Sequence, residues 1–169
     1  MIETVEQYIA RMTAFLGDRD PRAVMETTPS RLRALIGSAT PAQLTWTSSP
    51  TRWTITQIVA HLADAEIVGA WRFRSVLAQH NVPLQSYDQG EWESAFHYER
   101  VPPSESIALF DALRKSTLRT LSAVDPSRLE HVGQHTERGP ESVRRLMEMY
   151  AGHDINHLTQ IERLLEESR

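Results

Sequence analysis

The chain is organised around one stretch near its C-terminal end, MYAGHDINHLTQI at residues 149–161. His153 and His157 stand four residues apart in this stretch, and side chains with that spacing share one face of an α-helix. At about 100° per residue, both imidazoles fall within the apolar stripe of the helix and not on its solvent side. They are therefore either a buried polar pair with ordinary hydrogen-bond partners or part of a metal site.

A second helix with a histidine in its buried half begins at Thr54. Thr54 and Gln57 have the form of a capping box, in which the hydroxyl accepts from the amide three residues on and the Gln side chain reaches back. Helical periodicity then continues to about Gln79. His61 lies on the flank of the apolar stripe, so it can meet the histidine pair from a facing helix.

Three imidazoles from two helices predict a metal site formed by His61, His153 and His157. Neutral imidazole nitrogen is a good ligand for zinc, nickel, copper or iron(II). Three protein ligands leave a position open for water or substrate, as in catalytic zinc sites. We expect one divalent ion, zinc, nickel or iron, with zinc or nickel favoured. The remaining histidines lie at helix ends or in connections and are expected at the surface: His80, His97, His131 and His135.

Several polar residues lie near the predicted site. Asp64 and Glu66 follow His61 by three and five residues. Asp64 could orient a ligand, but we expect it to be a solvated carboxylate. Gln160 lies on the histidine face one turn further on and is a candidate hydrogen-bond donor to the site. Arg72 and Arg74 bring two guanidinium groups near the helices, where an anion could be held, although we expect both at the surface.

The other periodic segments predict an all-α fold. We expect a short N-terminal helix at residues 3–16 and four long amphipathic helices, at about 20–36, 54–79, from a cap at Ser104 to 124, and from Gly139-Pro140 to the C-terminus. Residues 81–103 form a long aromatic connection, which allows a crossover between parallel helices. No segment is a convincing strand. The prediction is a four-helix bundle with a short N-terminal helix, in a single domain spanning residues 1–169.

Composition limits the class of partner. The chain has 169 residues, a net charge of −4 with acids and bases interspersed, and no cysteine. Without a basic stripe we expect no nucleic-acid partner, and without a long apolar run we expect no membrane span. The acidic N-terminus is unlike a signal peptide, so the expected location is the cytoplasm. The absence of cysteine excludes disulfides and a thiol nucleophile from the chain itself.

Two segments resemble motifs of the DinB-like proteins. The stretch from Trp53 to Glu66 resembles their Trp-Ser-x-x-Glu…His-Leu-x-Asp-x-Glu segment, and the stretch from Gly152 to Ile161 resembles their His-x-x-x-His-x-x-Gln-Ile segment. Thr54 and Gln57 replace the usual Ser and Glu of the cap, which affects the start of the helix and not the chemistry. The resemblance implies helices in up-down-down-up order and a metal bound by His61, His153 and His157.

The resemblance also suggests a reaction. Characterised members include bacillithiol and mycothiol S-transferases and a mycothiol-dependent maleylpyruvate isomerase, in which a metal activates the thiolate of a small-molecule thiol. We therefore expect a metal-dependent enzyme that transfers such a thiol to a small electrophile. The resemblance also implies a homodimer. The aromatic residues Tyr87, Trp92 and Phe96 would line or cover its pocket. A metal-dependent hydrolase and a non-catalytic metal-binding stress-response protein are the alternatives.

Overall fold

The computed structural model describes residues 3–169. Its helices are α1 (Val5–Leu16), α2 (Pro21–Ser38), α3 (Pro41–Thr45), α4 (Ile55–Ala78), α5 (Gln89–Phe96), α6 (Pro103–Ala123) and α7 (Val143–Glu167). Its strands are β1 (Val82–Leu84), β2 (Val132–His135) and β3 (Gly139–Ser142). Short 3₁₀ turns span Tyr98–Arg100 and Pro126–Glu130. None of the described helices combines the length and the apolar character needed to cross a membrane.

Four long helices, α2, α4, α6 and α7, form the predicted four-helix bundle. Helix α4 packs against α6 and α7, and α2 packs against the same two helices from the other side. Contacts along α2 and α6 run in opposite directions, since Arg22 near the start of α2 reaches Ser122 near the end of α6. Further along α2, Arg33 pairs with Asp111, which lies closer to the start of α6. These two helices are therefore antiparallel.

Helices α4 and α6 run parallel, as the long connection between them predicted. Glu66 of α4 pairs with Arg114 of α6, and Arg74, two turns further along α4, reaches Ser116. The last helix, α7, is antiparallel to α4, because Tyr150 near its start packs against Phe73 near the end of α4. The up-down-down-up order is thus confirmed, and the short α1 packs along α7 outside the bundle.

The expectation that the chain contains no strand was wrong. Strands β1, β2 and β3 form a sheet in that order, with β1 parallel to β2 and β2 antiparallel to β3. Each strand has three or four residues, too few for a period-two pattern to stand out. The close packing of β2 against β1 requires a glycine at position 133, because a Cβ there would lie 2.6 Å from Leu84 Cδ1.

The starts of two helices also differ from the prediction. Ser104 is not a cap, because α6 begins at Pro103 and its N-cap residue is Pro102. Proline is well suited to the first helical position, where the amide has no partner in any case. Gly139 and Pro140 do not begin α7 but belong to β3, and the Ser142 hydroxyl caps α7 by accepting from the Arg145 amide. The capping box of Thr54 and Gln57 forms as predicted.

A buried ion-pair cluster joins the long helices at the centre of the bundle. Arg114 of α6 is fully buried, and its guanidinium donates to Asp154 of α7 at 2.6 and 3.0 Å and to Glu66 of α4 at 2.8 Å. It also donates to the Met25 carbonyl of α2 at 3.1 Å. Burial opposes the charge on Arg114, but the two carboxylates raise its pKa above the ordinary value. Glu66 is therefore a buried carboxylate whose charge is matched by Arg114.

Replacing Arg114 by Met is expected to lower the free energy of unfolding by about 3–5 kcal/mol, because two buried carboxylates lose their partner. Chemical denaturation with a two-state fit measures the change. Arg31→Met is the matched control, since it removes an exposed arginine that also bridges two helices, through Glu162. Exposed pairs contribute little, so this control should remain close to the wild type. Equal effects of the two variants would contradict a central role for Arg114.

Gly152 allows α1 to lie against the helix that carries two of the histidines. A Cβ at Gly152 would lie 2.2 Å from the carbonyl oxygen of Met12, a backbone atom that cannot rotate away as a side chain can. Gly152→Ala is therefore expected to destabilise the fold by about 1–3 kcal/mol through overpacking. Gly37→Ala is the control, because no atom lies within 4 Å of its added Cβ. That variant should be neutral or more stable than the wild type in the same denaturation experiment.

Candidate metal centre

The three predicted ligands come together between α4 and α7. His61 lies two turns into α4, where the capped start of the helix directs it into the bundle, and it is 1% exposed. The Trp53 ring, just before the cap, packs against it with ring centroids 5.1 Å apart. His153 and His157 face it from α7 on successive turns, with His157 buried and His153 half-buried.

The Nε2 atoms of the three imidazoles converge on one point. His153 Nε2 lies 3.0 Å from His61 Nε2 and 3.1 Å from His157 Nε2. Tetrahedral zinc with Zn–N bonds of about 2.0–2.1 Å needs neighbouring nitrogens about 3.3 Å apart. The observed spacing is close to that value, and the cluster contains no carboxylate of the described residues. The donor set is thus three nitrogens, which suits zinc, nickel or iron(II).

Hydrogen bonding directs a free lone pair into the centre. His157 Nδ1 lies 3.0 Å from Gln160 Oε1, which can only accept, so Nδ1 holds the proton and Nε2 presents its lone pair. Gln160 therefore accepts a hydrogen bond, whereas we expected it to donate. His61 Nδ1 is buried and has no hydrogen-bond partner among the described residues. This Nδ1 lies on the far side of the ring from Nε2, so it stays without a partner whether or not an ion is bound at Nε2.

Burial keeps the three rings in the form that binds a metal. It lowers the pKa of His157 to about 4. Burial, followed by the neighbouring imidazoles, holds the pKa values of His61 and His153 well below their ordinary range. All three rings are therefore neutral near pH 7, and metal binding requires no deprotonation. The lone-pair arrangement, the spacing and the protonation state all fit one divalent ion.

Two cavities approach the histidine cluster from different sides. The first, of about 870 Å³, is lined by His153 and by tyrosine and arginine side chains, and the second, of about 550 Å³, is lined by His157. Trp53 and Gln89 border both cavities. Tyr87 of the aromatic connection lines the first cavity as expected. Trp92 and Phe96 are not among the residues that line either cavity; Trp92 packs against the rings of Tyr87 and Phe96.

Three polar residues differ from their predicted surroundings. Asp64 is not simply solvated, because it accepts a hydrogen bond of 2.6 Å from the buried Tyr98 hydroxyl. Arg72 is 4% exposed and lines the first cavity, whereas Arg74 lies at the surface as expected. His135 is 3% exposed and lines the same cavity. Arg138, which we did not single out, lines it too. The sequence around His135 and Arg138 does not indicate this location, because the pairing of β2 with β1 and β3 brings the two residues to the cavity.

Added zinc or nickel is expected to raise the melting temperature of the chelator-treated protein. An ion at one hundred times its Kd contributes about 2.7 kcal/mol, which for this size corresponds to roughly 5–10 °C. His153→Ala should abolish the increase, and elemental analysis should find no bound ion. The control His97→Asn removes an exposed imidazole and keeps a residue that tolerates the left-handed backbone there, φ 54°. A metal response that survives in His153→Ala would contradict the assignment.

Comparison with known proteins identifies relatives of this chain. BH0277 of Halalkalibacterium halodurans is 27% identical over 139 residues, covering 82% of this chain and 81% of that protein. YfiT of Bacillus subtilis is 25% identical over 144 residues, covering 83% of this chain and 81% of YfiT. Both are provisionally named metal-dependent hydrolases.

The solved structure of YfiT, described as a four-helix bundle of unusual topology, matches this fold with a TM-score of 0.75 and 22% identity. The match covers 95% of this chain and 88% of YfiT. A sequence model of the DinB superfamily matches residues 25–161, a range that contains all three histidines. The family predicted from the two motifs is therefore confirmed: the chain belongs to the DinB superfamily.

Proposed function

We propose that this protein is a metal-dependent enzyme that transfers a small-molecule thiol to an electrophile. His61, His153 and His157 would hold one divalent ion. One observation supports transfer between two substrates: two cavities reach the cluster, one bordered by His153 and the other by His157. A hydrolase needs room for one substrate and a water molecule, whereas a transferase needs room for a thiol and its acceptor.

The ion would supply Lewis-acid chemistry that lowers the pKa of a nucleophile such as a thiol or a water molecule. The residues of the chain then determine which nucleophile is activated. There is no cysteine, so a thiol must come from a second molecule. No carboxylate of the described residues belongs to the histidine cluster, so no general base is in place beside the ligands. A thiol with its lower intrinsic pKa depends less on such a base than water does.

Protein groups around the cluster would position the two molecules. Trp53 packs against His61, and Trp53 and Gln89 line both cavities. Gln57 beside the cap of α4 donates to Glu93 of α5 at 2.8 Å, which holds the crossover segment against the start of the His61 helix. The crossover therefore forms part of the wall around the centre. Its residue Tyr87 faces the first cavity.

Hydrolysis of an ester or amide is the second candidate function. The names of the relatives from Halalkalibacterium and Bacillus favour it. In this case the open side of the three-histidine centre would serve a water molecule, and the second cavity would receive the leaving group. A non-catalytic metal-binding protein is a further alternative, in which the ion stabilises the fold and neither cavity binds a substrate for turnover.

One set of assays separates these functions. We expect the zinc- or nickel-loaded protein to conjugate low-molecular-weight thiols, including cysteine, glutathione and bacillithiol, to a fluorogenic haloalkyl electrophile. His157→Ala should lose this activity, and the exposed-histidine control His97→Asn should keep it. Hydrolysis of ester or amide substrates without added thiol would instead support the second candidate. If the metal raises the melting temperature while both assays stay at background, the result would contradict an enzymatic function.

A further inference from the structure

Apart from His153, the first cavity is lined by several hydrogen-bond donors. Arg72 of α4 is 4% exposed and lines this cavity. Its Nη2 donates to the Gln85 carbonyl at 2.6 Å, but its Nε is buried without a hydrogen-bond partner among the described residues. No carboxylate of residues 3–169 forms an ion pair with it within 4 Å. A buried guanidinium without a counter-charge is costly unless a ligand supplies one.

His135 of β2 provides a second unpaired donor to the same cavity. Its Nδ1 accepts from the backbone amides of Glu137 and Arg138, both at 3.2 Å. Because Nδ1 accepts, the neutral ring must hold its proton on Nε2. That Nε2 is buried and has no partner among the described residues. Its N–H is therefore a donor without an acceptor, on the cavity that Arg72 also lines.

Tyrosine hydroxyls add to this wall. Tyr8, Tyr87 and Tyr150 line the cavity, and burial raises the pKa of each, to about 12 for Tyr150. They therefore remain protonated and can donate. The positive charge of Arg72 opposes the rise in the pKa of Tyr150.

The acidic groups around the cavity are already engaged or lie at its rim. Glu141, which is buried behind the wall, accepts two hydrogen bonds from Arg138, at 2.7 and 2.8 Å. Glu3 pairs with Arg11, and Asp88 caps the start of α5. Glu137 is exposed. The buried part of the wall thus presents positive charge and donors without acceptors to match them.

We propose that the first cavity binds a small molecule through an oxyanion, a carboxylate or a phosphate, held by Arg72 with His135 and the tyrosine hydroxyls. The planar guanidinium matches the two oxygens of such a group. A molecule anchored there extends toward His153, which lines the same cavity. That this molecule is a substrate rests on the proposed function, but its binding does not. The anchor makes Arg72 a specificity-determining residue.

The experiment titrates the chelator-treated wild type with acetate and with inorganic phosphate, each against sodium chloride of equal ionic strength. Calorimetry and the melting temperature are the readouts. We expect acetate or phosphate to bind and to raise the melting temperature beyond the effect of chloride, and the better ligand identifies the class of oxyanion. Arg72→Gln should weaken binding about ten- to hundredfold, as expected for hydrogen bonds to a charged group.

Arg74→Gln is the matched control, because it removes the same charge two residues away, from an exposed arginine of the same helix. It should leave the affinity unchanged. If Arg72→Gln does not fold, Tyr87→Phe removes a cavity donor with little change in volume and should weaken binding severalfold. Absence of an oxyanion effect beyond chloride in the wild type would overturn the proposal. So would equal affinity losses in the Arg72 and Arg74 variants, or an unchanged affinity in Tyr87→Phe.

Because the titrated protein holds no ion, oxyanion binding does not depend on the metal or on turnover. Intact binding together with failed thiol conjugation and hydrolysis would count against the proposed function alone. Conversely, conjugation by a protein that shows no oxyanion binding would leave the transferase proposal standing and reject the anchor at Arg72.

Discussion

The contact between Arg114 and its two carboxylates sets the arrangement of the whole bundle. Arg114 is fully buried on α6, and it binds Glu66 of α4 and Asp154 of α7 while also reaching the backbone of α2. A buried charge of this kind allows few alternative positions, because any shift leaves an unpaired ion in the interior. It therefore fixes the rotation and the height of the helices relative to one another, which apolar packing alone would leave less specific.

The metal centre depends on this ion-pair cluster, because the partners of Arg114 lie close in sequence to the histidines. Asp154 directly follows His153 and points about 100° around α7 from it. The ion pair that holds Asp154 against α6 therefore also fixes the direction of His153, toward α4. Glu66 lies on α4 five residues after His61 and fixes that helix in the same way. The same buried arginine thus determines how the imidazoles meet, although it contacts none of them. Function and stability are coupled here by adjacency in sequence, because the charged group and the metal ligand are consecutive residues of one helix.

Local signals were sufficient for much of the architecture. The capping box at Thr54, the spacing of His153 and His157, and the long connection before α6 predicted the helices, the facing imidazoles and the parallel crossover. The small sheet could not be predicted, because β1 and β2 pair residues about fifty positions apart over three or four residues each. The same long-range pairing buries His135, whose sequence context resembles an exposed connection.

What the sequence by itself determined was the helical bundle, the family and the three candidate ligands, since helical periodicity and capping act over a few residues. What only the tertiary structure decided was the use of the charged groups. Glu66, Arg72 and Asp154 are charged residues of amphipathic helices, and periodicity alone does not distinguish a solvated charge from a buried one. Burial of a charge depends on a partner from another helix, or on a ligand, and such partners are known only when the helices are packed together.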